Sequence, residues 1–89
     1  MLDRNWRCSF GEIDLVLGAE GVVVICEVKA RAGDGFGGPQ AAVDWRKQRR
    51  LRRLGAQWLA EHPHRGAVEI RFDVAVVIGA KVEVIVGAF

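Results

Sequence analysis

Eighty-nine residues, 51% hydrophobic and 27% charged with a formal net charge of +2, fit one soluble α/β domain with an adequate but modest core. No apolar run approaches the roughly 18 residues of a membrane span, and no basic, apolar leader opens the chain, so a cytoplasmic protein without a membrane partner is expected. Cys8 and Cys26 are read as reduced thiols, and with His62 and His64 they offer no C-x-x-C or H-x3-5-H spacing for structural zinc.

Glu12 to Leu17 alternates acidic and aliphatic residues, and Gly21 to Ala30 is rich in β-branched ones. Together they predict a first hairpin. Pairing Gly18 with Gly21 across Ala19-Glu20 sets Asp14 opposite Ile25 and Glu12 opposite Glu27. Glu12, Asp14, Glu27 and Lys29 then share a face, with Asp14 and Glu27 as diagonal neighbours. Charges beside the apolar run Val22 to Cys26 need partners or a metal, because isolated ions are costly to take out of water.

Gly33 to Pro39 carries four glycines and reads as a connecting loop, without the pattern of a phosphate-binding loop. A helix follows from about Gln40 to Glu61, with Val43, Leu51, Leu54, Trp58 and Leu59 recurring at helical spacing and Pro63 as its stop. Arg46, Arg49, Arg50 and Arg53 gather on the opposite, outward face, as candidate contacts to nucleic-acid phosphates. Lys47 sits within the apolar stripe, so its side chain is expected to reach the sheet. His62 and His64 fall at the helix end, where imidazolium complements the macrodipole. Trp45 and Trp58 read as core or interface residues. Glu69 to Ile78 and Lys81 to Val86 alternate around Gly79-Ala80 and predict a second hairpin, with Arg71 and Asp73 on one face as a structural ion pair.

Asp14 and Glu27, with the backbone carbonyl of Val28 and Glu12 as an additional candidate, offer hard oxygen ligands for Mg²⁺ or Mn²⁺. Such an ion activates a water and offsets charge on a phosphoryl oxygen, while Lys29 orients the water or stabilises that charge. The chemistry suits phosphodiester hydrolysis.

Arg4-Asn5-Trp6-Arg7-Cys8, Gly11-Glu12-Ile13-Asp14-Leu15, Glu27-Val28-Lys29-Ala30-Arg31, Phe36-Gly37, Lys47 and Arg71-Phe72-Asp73-Val74 resemble the YraN-like bacterial proteins over nearly the whole chain. The resemblance implies a restriction-endonuclease-like PD-(D/E)XK fold, similar to archaeal Holliday-junction resolvases. That fold is a mixed sheet with flanking helices, so with the two hairpins and one helix read above the expected architecture is a mixed β-sheet of about four to five strands, in two hairpins, with one long helix between them. It also implies Asp14 and Glu27 as metal ligands, Lys29 as the catalytic lysine and Lys47 as the helix lysine that follows the motif. Family members begin with a helix that packs on the sheet, and here Met1 almost abuts Arg4-Asn5. The expectation is therefore a single, N-terminally short domain whose uncovered sheet face favours a homodimer.

The function expected is a metal-dependent nuclease acting on DNA, branched or otherwise structured. The alternative is a nucleic-acid-binding or protein-interaction module that keeps the fold without cleaving. An RNA substrate stays open beside DNA, because nothing in the chain reads a sugar.

Overall fold

The computed structural model describes residues 1–31, 44–63 and 69–89. Five strands form one mixed sheet in the order of the chain: β1 (Asp3–Cys8), β2 (Gly11–Ala19), β3 (Val22–Arg31), β4 (Glu69–Ile78) and β5 (Lys81–Ile85). β3 and β4 run parallel and every other neighbouring pair is antiparallel. A parallel pair cannot be joined by a tight turn, and α1 (Trp45–Glu61) occupies the connection between them. The predicted glycine-rich loop and the first residues of the predicted helix, 40–43, lie outside the described residues, as does His64.

Asp44 caps α1 through its side chain, which accepts from the Lys47 backbone N–H at 2.9 Å. This satisfies one of the donors that a helix start leaves without a partner. The helix closes at His62, one residue before Pro63, where the proline ring disfavours further helical backbone. Leu51, Leu54 and Trp58 enter the core against Ile13, Val16, Val23, Ile25, Phe72, Val74 and Val76. Gly55 permits the close approach: a Cβ there would stand 2.9 Å from Ile70 Cδ1 and 3.3 Å from Ile25 Cγ1.

The first hairpin is paired two residues away from the expected register. Val16 faces Ile25 and Ala19 faces Val22, so the turn is Glu20-Gly21 and not Ala19-Glu20. Gly21 has φ +72°, a left-handed conformation that suits a turn and that side chains resist. An even shift keeps the two strands' faces in step. It does, however, remove the predicted pairs of Asp14 with Ile25 and of Glu12 with Glu27. Glu12 instead faces Arg7 of β1, a strand that the alternation pattern does not announce.

A second irregularity sits at Asp14. Ile13 and Val16 are both fully buried in the same core, although residues three apart in a regular strand face opposite ways. The β1/β2 register is constant and sets Asn5 opposite Asp14, and Asn5 has φ +50°. Asparagine tolerates that backbone better than most side chains. The two strands change facing together at this step.

On the sheet face away from α1, Val24, Cys26, Asp73 and Ala75 are buried, whereas Val28, Val82 and Val84 are exposed. Arg71 holds Asp73 with two 2.9 Å hydrogen bonds, and the Gly87 backbone N–H donates to the same carboxylate. Burial opposes ionisation of Asp73, yet Arg71 and Gly87 prevail and keep its pKa below the ordinary 3.8. A carboxyl with a depressed folded pKa stabilises the fold above its ordinary value, and the gain is lost as pH falls through the folded value. Arg71→Met is expected to destabilise the fold at neutral pH, because it leaves the buried Asp73 carboxylate with the Gly87 backbone N–H and without its guanidinium. It should also move the acid-unfolding midpoint upward. Urea titrations at neutral and acidic pH check both, and an unmoved acid midpoint would show that the pair carries no such linkage.

Candidate functional site

β3 projects Glu27 toward α1, and its carboxylate is almost wholly buried. Lys47 Nζ stands 3.0 Å from Glu27 Oε1, and Lys29 Nζ stands 3.7 Å from the same oxygen. Helix phase explains the first contact. Lys47 lies one turn before Leu51 on the buried stripe, so its stem lies along apolar surface while its head reaches the carboxylate. Strand alternation explains the second, since residues two apart share a face.

The two lysines act on each other as well as on Glu27. Contact with Lys47, then burial, push the Lys29 pKa below the ordinary 10.5. For Lys47 burial works in the same downward direction, but the contacts with Lys29 and Glu27 outweigh it and raise the value. One carboxylate therefore serves two ammonium groups, and Lys29 is the one whose charge is less well supported.

Asp14 joins from β2. The pairing of β2 with β3 ends at Leu15 and Cys26, and one further step brings Asp14 level with Glu27. There the Asp14 carboxylate accepts the Val28 backbone N–H at 2.8 Å, replacing the ladder acceptor that the strand no longer supplies. In an extended strand the N–H and C=O of one residue point to the same side. The Val28 carbonyl therefore lies on the Asp14 side of β3. Glu12 is placed elsewhere: its carboxylate is 2.6 Å from Arg7 Nε on the outer strand. It is removed from the set that the predicted register gave it.

The remaining helix cations divide cleanly. Arg52 lies over the Phe72 and Phe89 rings at 5.6 and 5.5 Å. Arg46, Arg49, Arg50 and Arg53 line an open cleft of about 530 Å³ together with Phe10 and Trp45. Arg53 lies 4.0 Å above the Phe10 ring, and Arg46 and Arg49 lie 5.3 and 5.9 Å from the Trp45 ring. Among the described residues none of these four arginines is within ion-pair distance of a carboxylate. Arg50 also acts on the Lys47 charge, so the cleft adjoins the lysine pair.

His62 and Trp58 serve the fold. His62 stacks on Trp58 at 4.1 Å, its Nδ1 is 2.8 Å from the Trp58 carbonyl oxygen, and the Trp58 indole donates to Asp3 at 3.0 Å. That indole hydrogen bond leads the causes that hold the Asp3 pKa below its ordinary value.

The sequence profile described as Uncharacterised protein family UPF0102 matches residues 1–77. The chain belongs to the UPF0102 family. A UPF0102 protein of Frankia alni is 52% identical over 94 aligned positions, which cover 100% of this chain and 78% of the relative. One from Frankia casuarinae is 50% identical, covering 100% of this chain and 79% of the relative. One from Mycobacterium tuberculosis is 50% identical over 84 positions, covering 92% of this chain and 62% of the relative. The YraN-like resemblance is thus to this family, and the matched residues take in β1, β2, β3, α1 and nearly all of β4.

Within this UPF0102 chain, Phe10 and Trp45 are the residues that sequence reasoning missed. Trp45 is 60% exposed, which removes it from the core. The available signal was its position: it follows Asp44, the helix cap, and lies off the stripe defined by Leu51, Leu54 and Trp58. Phe10 carries no such signal, because only the β1–β2 turn brings it to the helix.

Proposed function

We propose that this UPF0102 chain is a metal-dependent nuclease with a restriction-endonuclease-like PD-(D/E)XK site, hydrolysing phosphodiester bonds in structured DNA. The observation that carries the reading is the buried Glu27 carboxylate held between Lys29 and Lys47, with Asp14 bonded to the next backbone N–H. A salt bridge made only for stability needs one lysine. Two lysines on one carboxylate, next to a cleft of arginines that have no carboxylate partner among the described residues, suit a site that meets a phosphate.

The donors fit Mg²⁺ or Mn²⁺. Asp14, Glu27 and the Val28 carbonyl are hard oxygens, and among the described residues no group of three or more ligating side chains stands together. Ions that keep several waters suit such a sparse set better than zinc does. When bound, the ion supplies an activated water and offsets charge on the phosphoryl oxygen. The chain's own part is positional: Asp44 caps the start of α1, Lys47 ties that start to Glu27 on the sheet, Lys29 presents an ammonium beside Glu27, and Arg50 extends the positive field toward the cleft.

Linear, flapped and four-way DNA incubated with the chain in Mg²⁺ or Mn²⁺ should yield a product that a chelator abolishes. Asp14→Asn should abolish it too while leaving DNA affinity intact. Absence of any chelator-sensitive product overturns the nuclease reading. It would favour the second one, a nucleic-acid-binding module that does not cleave, supported by the fact that Glu27 and Asp14 already have partners within the chain.

A further inference from the structure

The arginine cleft differs from a surface that only follows a duplex backbone. Phosphates along a duplex ask for spaced cations on an open face. Here four arginines share a concavity with two aromatic rings, and its volume of about 530 Å³ is in the range of small-ligand sites. Trp45 is 60% exposed at its edge, an arrangement that leaves costly apolar surface in water. Arg53 lies over Phe10 at 4.0 Å and Arg46 and Arg49 lie 5.3 and 5.9 Å from the Trp45 ring, so three of the guanidiniums are positioned by aromatic rings. The cleft therefore asks for two things at once, a flat cover for the Trp45 surface that Arg46 and Arg49 leave in water, and anions for arginines that have no carboxylate within ion-pair distance among the described residues. A nucleotide in a single strand supplies both, because its base offers a π-face and its phosphate a charge. In a duplex the bases are already stacked and cannot fill the cleft.

We propose that the cleft formed by Phe10, Trp45, Arg46, Arg49, Arg50 and Arg53 binds an unpaired nucleotide, with the base on Trp45 and the flanking phosphates on the arginines. The nucleic acid bound is then one with a single-stranded segment, such as a flap, gap or splayed junction arm. This deepens the nuclease reading and rests on it only for what happens after binding. A binding experiment therefore separates the two: loss of cleavage with retained single-strand preference would sink the nuclease alone.

The test compares a thymidine oligomer of about 12 nucleotides, within the site sizes of single-strand grooves, with an abasic strand of equal length and charge. Fluorescence anisotropy of labelled strands gives both affinities across a salt series. The thymidine strand should bind about tenfold more tightly than the abasic one, as expected for one stacked base. Trp45→Leu should erase that difference, while Trp45→Phe should keep most of it. Arg50→Gln should weaken both strands together and reduce the salt slope by about one contact's share, roughly 0.7 for a single strand. Trp45 is a surface residue, so unchanged circular dichroism is expected for its variants. Equal binding of thymidine and abasic strands by the parent chain, or an equal loss for both in Trp45→Leu, would overturn the proposal.

Discussion

Replacing Lys29 by methionine is expected to lower chelator-sensitive cleavage by about 10²- to 10⁴-fold, the range over which one positioned acid, base or charge contributes to a transition state. Methionine keeps most of the apolar stem and removes the ammonium that stands 3.7 Å from Glu27. The fold should tolerate the change. Glu27 retains Lys47 at 3.0 Å, and the repulsion between the two lysines disappears. Lys47→Met is the informative contrast. It removes the nearer partner of a buried carboxylate and loosens the contact between α1 and β3, so its activity loss should come with a loss of stability. Single-turnover rates and urea midpoints measured on both variants separate the roles. Full activity in Lys29→Met would remove that residue from the chemistry, whereas weakened DNA affinity at an unchanged cleavage rate would make it a binding group.

The elements whose sequence carries a clear period were legible. α1 could be phased from Leu51, Leu54 and Trp58 alone, and the same phase turned Lys47 inward, where it meets Glu27. Two hairpins around one helix followed from the strand patterns on either side of it, and the mixed sheet was what the YraN-like resemblance implied. β1 was not legible, because Asp3–Cys8 is half charged and bends at Asn5 through a positive φ that no alternation rule anticipates. The register of the first hairpin failed for a related reason. Three glycine, alanine and glutamate positions compete for its turn, and the choice falls on the one that sets Gly21 in the left-handed region. The consequence for the site is specific. Asp14 stays beside Glu27 because the shift is even, and Glu12 is drawn to Arg7 because β1 lies next to it. The cleft was half legible: the arginine face could be drawn on a helical wheel, but Phe10 approaches it only through a turn between strands distant from α1 in the chain.

Trp58→Ala is expected to cost about 3 to 5 kcal/mol, the usual cost of emptying a buried aromatic site. Small domains have only about 5 to 15 kcal/mol of stability in all, so the variant should approach its unfolding threshold. The indole is 2% exposed, is the largest of the fully buried side chains, and joins α1 to β1 through its 3.0 Å hydrogen bond to Asp3. Trp58→Phe separates packing from that bond. A phenyl ring fills much of the site but cannot donate, so its cost should include about 1 kcal/mol for the lost hydrogen bond plus a small cavity. Urea unfolding followed by circular dichroism measures both, with an unchanged slope showing that the compactness of the end states is preserved. A cost below about 2 kcal/mol for Trp58→Ala would mean that α1 is held chiefly elsewhere, since even a buried leucine or isoleucine replaced by alanine costs about that much. The outcome also bears on function, because Lys47 and the four cleft arginines share this one helix. Where Trp58→Ala remains folded, at low temperature, its single-strand affinity should match that of the parent; on warming, affinity should fall in step with the folded fraction, as expected if the cleft and the lysine pair share the stability of α1.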